Sequence, residues 1–171
     1  LMKAIISGGA KNGKSTFAEN LVTEYGKGKN IYYLATMIPH DSEDDARILR
    51  HREERKDKGF ITIERGYDMG DYEYERYAAY LLDSITALLS NEMFKDGKVY
   101  PDAGRKVASD LIRLTEKVDH IVFVSDFIYS DANMYDEFTE MYREALAYID
   151  KSLAKVCDRV IEVSFGNIME Y

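Results

Sequence analysis

The sequence predicts an α/β fold with a mainly parallel sheet that is covered by helices on both faces. Short apolar runs have the composition of buried strands, and segments with apolar residues at helical spacing separate them. Strands that are apolar throughout are typical of parallel sheets, because both faces of such sheets are covered. At 171 residues with 46% hydrophobic side chains, the chain can bury a full core, and we expect one domain over residues 1–171.

The first element is a strand, a glycine-rich loop and a helix in immediate succession. Residues 3–7 predict the strand, and the helix starts near Lys14 and runs to Tyr25. Glycines in such a loop let successive N–H groups point at phosphate oxygens. We expect Lys14 to reach the β- and γ-phosphates of GTP or ATP, and the Ser15 hydroxyl to ligate Mg²⁺. The loop fits the phosphate-binding pattern G-x-x-x-x-G-K-S and reads Gly8-Gly9-Ala10-Lys11-Asn12-Gly13-Lys14-Ser15.

The next strand and helix introduce a candidate histidine. Residues 31–35 predict a buried strand, and the strongly charged residues 43–58 predict an exposed helix that Asp41 or Ser42 caps. His51 of this helix lies among arginines, which disfavour a metal ion but suit an imidazole that acts on a phosphate. By spacing alone, an exposed histidine among solvated charges is the more common outcome.

A candidate acidic residue follows in the middle of the chain. Residues 60–65 alternate and predict a short edge strand, and residues 77–82 predict a buried strand that ends in Asp83. Ser84 is positioned to cap a helix that runs to Phe94. A carboxylate at this place is the Walker-B arrangement that holds Mg²⁺ in nucleotide-binding proteins. The structural alternative is a strand-end aspartate that only caps the following helix.

The second half continues the alternation of strands and helices. Its predicted elements are a helix over 105–118, a strand over 120–125, a helix over 131–156 and a strand over 159–164. Ligands bind parallel sheets at the carboxyl ends of the strands. We therefore expect one edge of the sheet to collect the residues that follow the strands, namely Thr36, Asp83, Ser125-Asp126 and Gly166.

The net charge, the cysteine count and the first apolar run argue against several classes of protein. The formal net charge of −8 argues against a general nucleic-acid-binding protein, which needs a basic face. The single cysteine, Cys157, excludes an intramolecular disulfide. The apolar run after Leu1 is too short for a signal peptide or a membrane span. We expect a soluble cytoplasmic protein without membrane or nucleic-acid partners.

Taken together, the residues resemble those of a family from cobalamin biosynthesis, the bifunctional adenosylcobinamide kinase / adenosylcobinamide-phosphate guanylyltransferases. The resemblance covers nearly the whole chain, and its most specific part is an Arg-Ile-x-x-His-Arg stretch followed by a Thr-x-Glu strand. Besides the phosphate-binding loop, it is carried by Tyr33-Leu34-Ala35-Thr36, Asp45-Ala46-Arg47-Ile48, His51-Arg52, Arg55, Phe60-Ile61-Thr62-Ile63-Glu64, and Leu82-Asp83-Ser84-Ile85-Thr86 with Asn91.

The resemblance implies a P-loop NTPase-like fold and two activities at one nucleotide site. One activity phosphorylates the aminopropanol hydroxyl of adenosylcobinamide, and the other transfers GMP from GTP to that phosphate through a guanylylated histidine, matched by His51. The implied catalytic residues are His51, Lys14 and Asp83, and the implied Mg²⁺ ligands are Ser15 and Asp83. The implied nucleotide-binding set is the whole loop with Ala35, Thr36, Met37, Arg52, Glu53, Glu54, Arg55, Glu64 and Asp83. A corrinoid and a nucleoside triphosphate are the implied substrates, and a homotrimer is the implied assembly.

The chain departs from this family in its second half. Ser125-Asp126-Phe127-Ile128 stands where the family has Asn-Glu-Val-Gly, and Asp150-Lys151 replaces Asn-Gln in the long helix. These departures leave two alternatives open. The first is a kinase of another small molecule on the same scaffold, and the second is a nucleotide-binding homologue without catalysis.

Overall fold

A seven-stranded sheet forms the centre of the molecule. The structure is a computed structural model that describes residues 1–9, 13–126 and 137–171. Within this part of the chain the strand order is β3-β2-β4-β5-β1-β6-β7, and every neighbouring pair is parallel except β6 and β7. The strands are β1 (Lys3–Gly8), β2 (Ile31–Ala35), β3 (Ile61–Glu64), β4 (Ala79–Asp83), β5 (His120–Asp126), β6 (Arg159–Ser164) and β7 (Asn167–Glu170).

Helices cover both faces of this sheet. Helix α1 packs on one face, and α3, α4 and α5 pack on the other, which gives two separate apolar cores. Because successive strand residues point to opposite faces, β4 sends Tyr80 and Leu82 into one core and Ala79 and Leu81 into the other. The helices of the described residues are α1 (Lys14–Tyr25), α2 (Ser42–Asp57), α3 (Ile85–Met93), α4 (Ala103–Lys117) and α5 (Glu137–Val156).

The predicted fold class, a mainly parallel α/β sheet with helices on both faces, is confirmed. The predicted edge strand over 60–65 is β3, which ends the sheet order. The sequence did not predict β7, which forms an antiparallel hairpin with β6 through a turn at Phe165 and Gly166, whose φ values are 50° and 78°. All four residues of β7 are exposed, so it lacks the apolar pattern that marks a buried strand. The predicted helix over 131–156 is described from Glu137 onward, and its first residues lie outside the described part.

Asp41 and Ser84 cap the helices that follow β2 and β4. Asp41 caps α2 by accepting a hydrogen bond from the Asp44 N–H at 2.8 Å. Ser84 caps α3 in the same way, with Oγ 3.1 Å from the Ala87 nitrogen. The helix after β4 is therefore capped by Ser84 rather than Asp83, and the Asp83 carboxylate is available for another role.

Helix α2 differs from the other helices because it buries none of its residues. Its charged sequence keeps it outside the core, and its packing partner is the short edge strand β3. Among the described residues, none of the helices combines the length and apolar character that a membrane span requires.

Candidate functional site

A cavity of about 540 Å³ opens at the carboxyl ends of β2, β3 and β4. The start of α1 closes one side, and one face of α2 closes the other. Cavities of this size are typical of small-molecule sites, and strand ends are where parallel sheets bind ligands. Most of the polar residues that the sequence singled out lie around this cavity.

Lys14 starts α1 directly before Ser15 of the cavity wall, but it does not itself line the cavity. Gly13, with φ 87°, lets the chain turn directly into α1, so Lys14 starts the helix at the positive end of its dipole. The Lys14 side chain is only 5% exposed, and its Nζ lies 2.5 Å from Asp126 Oδ1 and 3.3 Å from the Gly9 carbonyl oxygen. The buried ammonium and the helix terminus together favour an anion such as a phosphate. Ala10, Lys11 and Asn12 of the loop lie outside the described residues.

Asp83 ends β4, two strands away from the phosphate-binding loop, and lines the cavity with Ser15. Burial raises the pKa of the Asp83 carboxyl above its ordinary value, a hydrogen bond from Tyr33 opposes this shift, and the nearby charge of Asp126 adds to it. A carboxylate in such surroundings favours a cation, which replaces the hydration lost on burial. Hydroxyl and carboxylate oxygens are ligands that Mg²⁺ accepts, so Ser15 and Asp83 fit the predicted metal.

Tyr33 connects β4 to the helix wall of the cavity. Its hydroxyl donates a hydrogen bond to Asp83 Oδ2. The Arg55 guanidinium lies 4.1 Å from the centre of the Tyr33 ring, and Phe60 packs edge-on at 5.8 Å. Burial raises the pKa of Tyr33 far above its ordinary value, which keeps the hydroxyl protonated and able to donate. The Arg55 Nε also donates to Thr62 Oγ1 at 3.4 Å, so this arginine joins α2 to both β2 and β3.

His51 lies on the face of α2 that lines the cavity, together with Arg47 and Arg55. The three residues are spaced by four, which places them on one side of a helix. The His51 side chain is 52% exposed, and its Nδ1 lies 3.4 Å from Glu54 Oε2. Arg47 and Arg55 therefore share a helix face with His51. An anion that enters the cavity meets their two guanidinium groups next to the imidazole.

The predicted nucleotide-binding residues divide into two groups. Thr36 is fully buried, and its hydroxyl exchanges two hydrogen bonds of 2.8 Å with the Ser84 backbone, so it supports the strand ends. Arg52 pairs with Glu64 at 3.5 Å, and Glu53 is exposed outside the cavity wall. The members that line the cavity are Ser15, Ala35, Met37, Glu54, Arg55, Glu64 and Asp83, and the predicted catalytic residue His51 lines it as well.

Tyr33 and Arg47 belong to the cavity wall, but the sequence did not single them out as site residues. The spacing of four from His51 was a usable signal for Arg47. No local signal identified Tyr33, because its hydroxyl reaches a residue 50 positions away on the neighbouring strand.

The two departures from the family pattern meet in the structure. The Ser125 hydroxyl, at the end of β5, lies 2.9 and 3.0 Å from the two carboxylate oxygens of Asp150 on α5. Beside this pair, the Asp126 N–H donates to Thr86 Oγ1 at 2.9 Å, and the Tyr142 hydroxyl donates to the Thr86 carbonyl oxygen at 2.7 Å. Phe127 and Ile128 lie outside the described residues.

Comparisons with known proteins agree with the resemblance. The sequence matches the CobU family, described as cobinamide kinase / cobinamide phosphate guanyltransferase, over residues 4–171. It is 28% identical over 162 residues to the bifunctional adenosylcobalamin biosynthesis protein CobP of Pseudomonas aeruginosa, covering 93% of this chain and 91% of that protein. It is 31% identical over 99 residues to the bifunctional adenosylcobalamin biosynthesis protein CobU of Escherichia coli, covering 56% of this chain and 52% of that protein. Among solved structures, the flagellar accessory protein FlaH of Methanocaldococcus jannaschii aligns with 99% of this chain and 75% of its own, at a TM-score of 0.48 and 13% identity.

Proposed function

The chain belongs to the cobinamide kinase / cobinamide phosphate guanyltransferase family, and from this premise we propose that it catalyses both transfers at the cavity described above. It phosphorylates adenosylcobinamide with a nucleoside triphosphate, and it then transfers GMP from GTP to the new phosphate through His51. The observation that carries this proposal is that one cavity joins Ser15, Asp83 and His51, which come from three separate elements.

The start of α1 binds the triphosphate. Lys14 and the first N–H groups of α1 neutralise and orient its phosphates. Ser15 and Asp83 would hold Mg²⁺, which when bound would neutralise charge on the phosphate oxygens. The same set serves the kinase activity, in which the acceptor hydroxyl attacks the γ-phosphorus, the nucleoside diphosphate leaves, and Asp126 beside Lys14 accepts the hydroxyl proton.

His51 carries the guanylyl group. Glu54 lies beside Nδ1 and favours the tautomer with its proton there, which leaves the lone pair of Nε2 for attack. Nε2 forms a bond to the α-phosphorus of GTP, the bond to the bridging α–β oxygen breaks, and pyrophosphate leaves. A phosphate oxygen of the acceptor then attacks the same phosphorus and releases the imidazole. Arg47 and Arg55 stabilise the negative charge that develops in both transition states.

The two alternatives, a kinase of another small molecule and a nucleotide-binding protein without catalysis, both rest on the departures near Ser125 and Asp150. These two side chains bond to each other, so each satisfies a polar group of the other. The match to the family model over residues 4–171 supports the corrinoid kinase and guanylyltransferase over both alternatives. We expect it to work as a homotrimer in the cytoplasm.

The covalent step is tested by intact-mass spectrometry after incubation with GTP and Mg²⁺. We expect the parent protein to gain the mass of one GMP and His51→Ala to gain none. His40→Ala is the matched control. His40 is an exposed histidine, as His51 is, and it lies just before α2, but it does not line the cavity. It should form the adduct as the parent does.

The outcomes separate the candidate functions. An adduct on His51→Ala would show that another residue carries GMP. A parent protein that binds GTP without forming any adduct would lack the guanylyl step, and phosphorylation assays over candidate alcohols would then distinguish a kinase from a binding protein.

A further inference from the structure

We propose that Tyr33 is a positioning residue of the nucleotide site, whose hydroxyl holds Asp83 Oδ2 so that Oδ1 is left free to serve as the Mg²⁺ ligand. This inference rests on the proposed nucleotide site, in which Asp83 and Ser15 hold Mg²⁺. It assigns a function to a side chain that the sequence identified only as part of a buried strand.

The first argument is the freedom of the carboxylate. The last side-chain torsion of aspartate is broad, so the carboxylate plane is not fixed by its own rotamer. Among the described residues, Tyr33 is the only one that donates a hydrogen bond to the Asp83 carboxylate. A metal ligand needs a defined orientation, and partners of the ligand commonly supply it. Tyr33 is therefore the group that orients Asp83.

The second argument is that Tyr33 is itself held firmly. Its side chain is 8% exposed and stands on β2, which pairs with β4 in register, so that Tyr33 is level with Leu81 and Ala35 with Asp83. Residues two apart on a strand share a face, which places the Tyr33 ring on the same side of the sheet as Asp83. A rigid strand and a packed ring fix the position of the hydroxyl, and the hydroxyl fixes the carboxylate.

The third argument is the position of Arg55 over the same ring. A guanidinium over an aromatic face is an attractive contact, and here it connects α2 to the Asp83 site through a single side chain. Tyr33→Phe removes the hydroxyl and keeps the ring, so it tests the hydrogen bond without removing the support for Arg55.

The alternative role is structural, in which the two groups only satisfy each other in a buried place. Tyr80 provides a matched control for that role. It is 1% exposed on the neighbouring strand, and its hydroxyl donates to the Glu75 carbonyl oxygen at 2.9 Å, away from the cavity. Tyr80→Phe should therefore have a similar effect on stability without touching the metal ligand.

The experiment measures how much Mg²⁺ strengthens nucleotide binding. Calorimetry gives the affinity of the parent, Tyr33→Phe and Tyr80→Phe for a GTP analogue with a non-hydrolysable α–β bridge, once with Mg²⁺ and once with EDTA. We expect Tyr33→Phe to lose about tenfold of the Mg²⁺ enhancement while its metal-free affinity stays at the parent value. Tyr80→Phe should keep the full enhancement.

Each outcome decides the proposal. An enhancement in Tyr33→Phe equal to that of the parent and Tyr80→Phe overturns it, and so does a parent protein whose affinity Mg²⁺ does not change. A parent that shows the Mg²⁺ enhancement but forms no GMP adduct contradicts the proposed guanylyl transfer, while the comparison with Tyr33→Phe still decides the role of Tyr33.

Discussion

Carboxylates that are partly or wholly buried occur in two very different regions of this protein. Asp83 lies at the cavity with a tyrosine hydroxyl as its hydrogen-bond partner, and its pKa is raised by burial. Glu92 and Asp110 are 5% and 4% exposed on α3 and α4, and both contact the Lys106 ammonium. Arg113 adds a second cation to Asp110 at 2.6 Å.

The second region shows that a cluster of acidic residues is not by itself a metal site. Asp68, Glu92 and Asp110 offer oxygens within 4.8 Å of one another, which is a spacing that a cation could bridge. The Lys106 ammonium is that cation, with Nζ 2.6 Å from Asp68 and 3.2 Å from Asp110. Buried acids with a lysine in their midst hold the fold together, whereas a buried acid with a neutral donor is suited to a charged ligand.

Of the substitutions predicted below, Asp83→Asn should have the largest effect, and that effect is on turnover. We expect nucleotide transfer to fall by a factor on the order of 10²–10³, because the charged side chain that would hold Mg²⁺ is lost. In the absence of nucleotide, the same variant should be more stable by about 1 kcal/mol, because it removes a charge whose burial is costly. Steady-state turnover and thermal unfolding of the free protein measure the two effects.

Asp110→Asn is the opposite control for this prediction. It removes a buried carboxylate that has cations beside it, so it should lower stability and leave turnover near the parent value. If both variants changed stability in the same direction, the distinction between the two regions would be wrong.

Lys106→Met should be the next largest effect, and it acts on stability. It leaves Glu92 and Asp110 buried without their lysine, which we expect to cost about 2 kcal/mol at neutral pH, at the low end for a buried pair because Lys106 is 44% exposed. Lys155→Met, on an exposed position of α5, is the matched control and should be close to neutral. Chemical unfolding followed by circular dichroism measures both.

The pH dependence of this loss follows from the same contacts. The hydrogen bond from Lys106 lowers the pKa of Asp68 despite some burial, so the stabilisation is present above the unfolded pKa of about 4 and is lost as pH falls below it. Burial lowers the pKa of Lys106, but hydrogen bonds to Asp68, Glu92 and Asp110 raise it above its ordinary value overall. The stabilisation by Lys106 is therefore complete below its unfolded pKa of about 10, and it is lost as pH rises further through the raised pKa of the folded protein. The parent and Lys106→Met should converge in stability at both extremes, and an offset independent of pH would contradict the ionic origin.

Glu54→Gln should give the smallest of these effects, because Glu54 is an exposed carboxylate. Its side chain is 58% exposed and lies 3.4 Å from His51, so it biases the imidazole tautomer through partly screened charge. We expect the rate of guanylylation to fall about fivefold, measured by the growth of the adduct mass in single-turnover reactions. Glu43→Gln, near the start of the same helix and outside the cavity wall, should leave that rate unchanged.

Most of the fold and part of the site were predictable from local sequence. The glycine loop, the strand that ends in Asp83 and the charged helix with His51 are each encoded within about a dozen residues, which is the range over which helical and strand periodicities are visible. The order of the strands is not local. That β5 lies between β1 and β4, and so brings Asp126 rather than Asp83 against Lys14, depends on packing across the whole sheet.

The role of Tyr33 was beyond sequence reasoning for the same reason, whereas Arg55 was named through the family resemblance. A tyrosine in an apolar strand is most often a core residue, and its hydroxyl partner is set by the register between β2 and β4. The lack of an apolar pattern hid β7, because a fully exposed strand has no periodic signal to detect. Contacts between distant segments decide which of several acidic residues meets a cation and which does not.

The bond between Ser125 and Asp150 ties the carboxyl end of β5 to α5. Asp126, the next residue of β5, contacts Lys14 at the start of α1. Because α5 and α1 pack on opposite faces of the sheet, two neighbouring residues of β5 connect the helices of the two layers at this strand end.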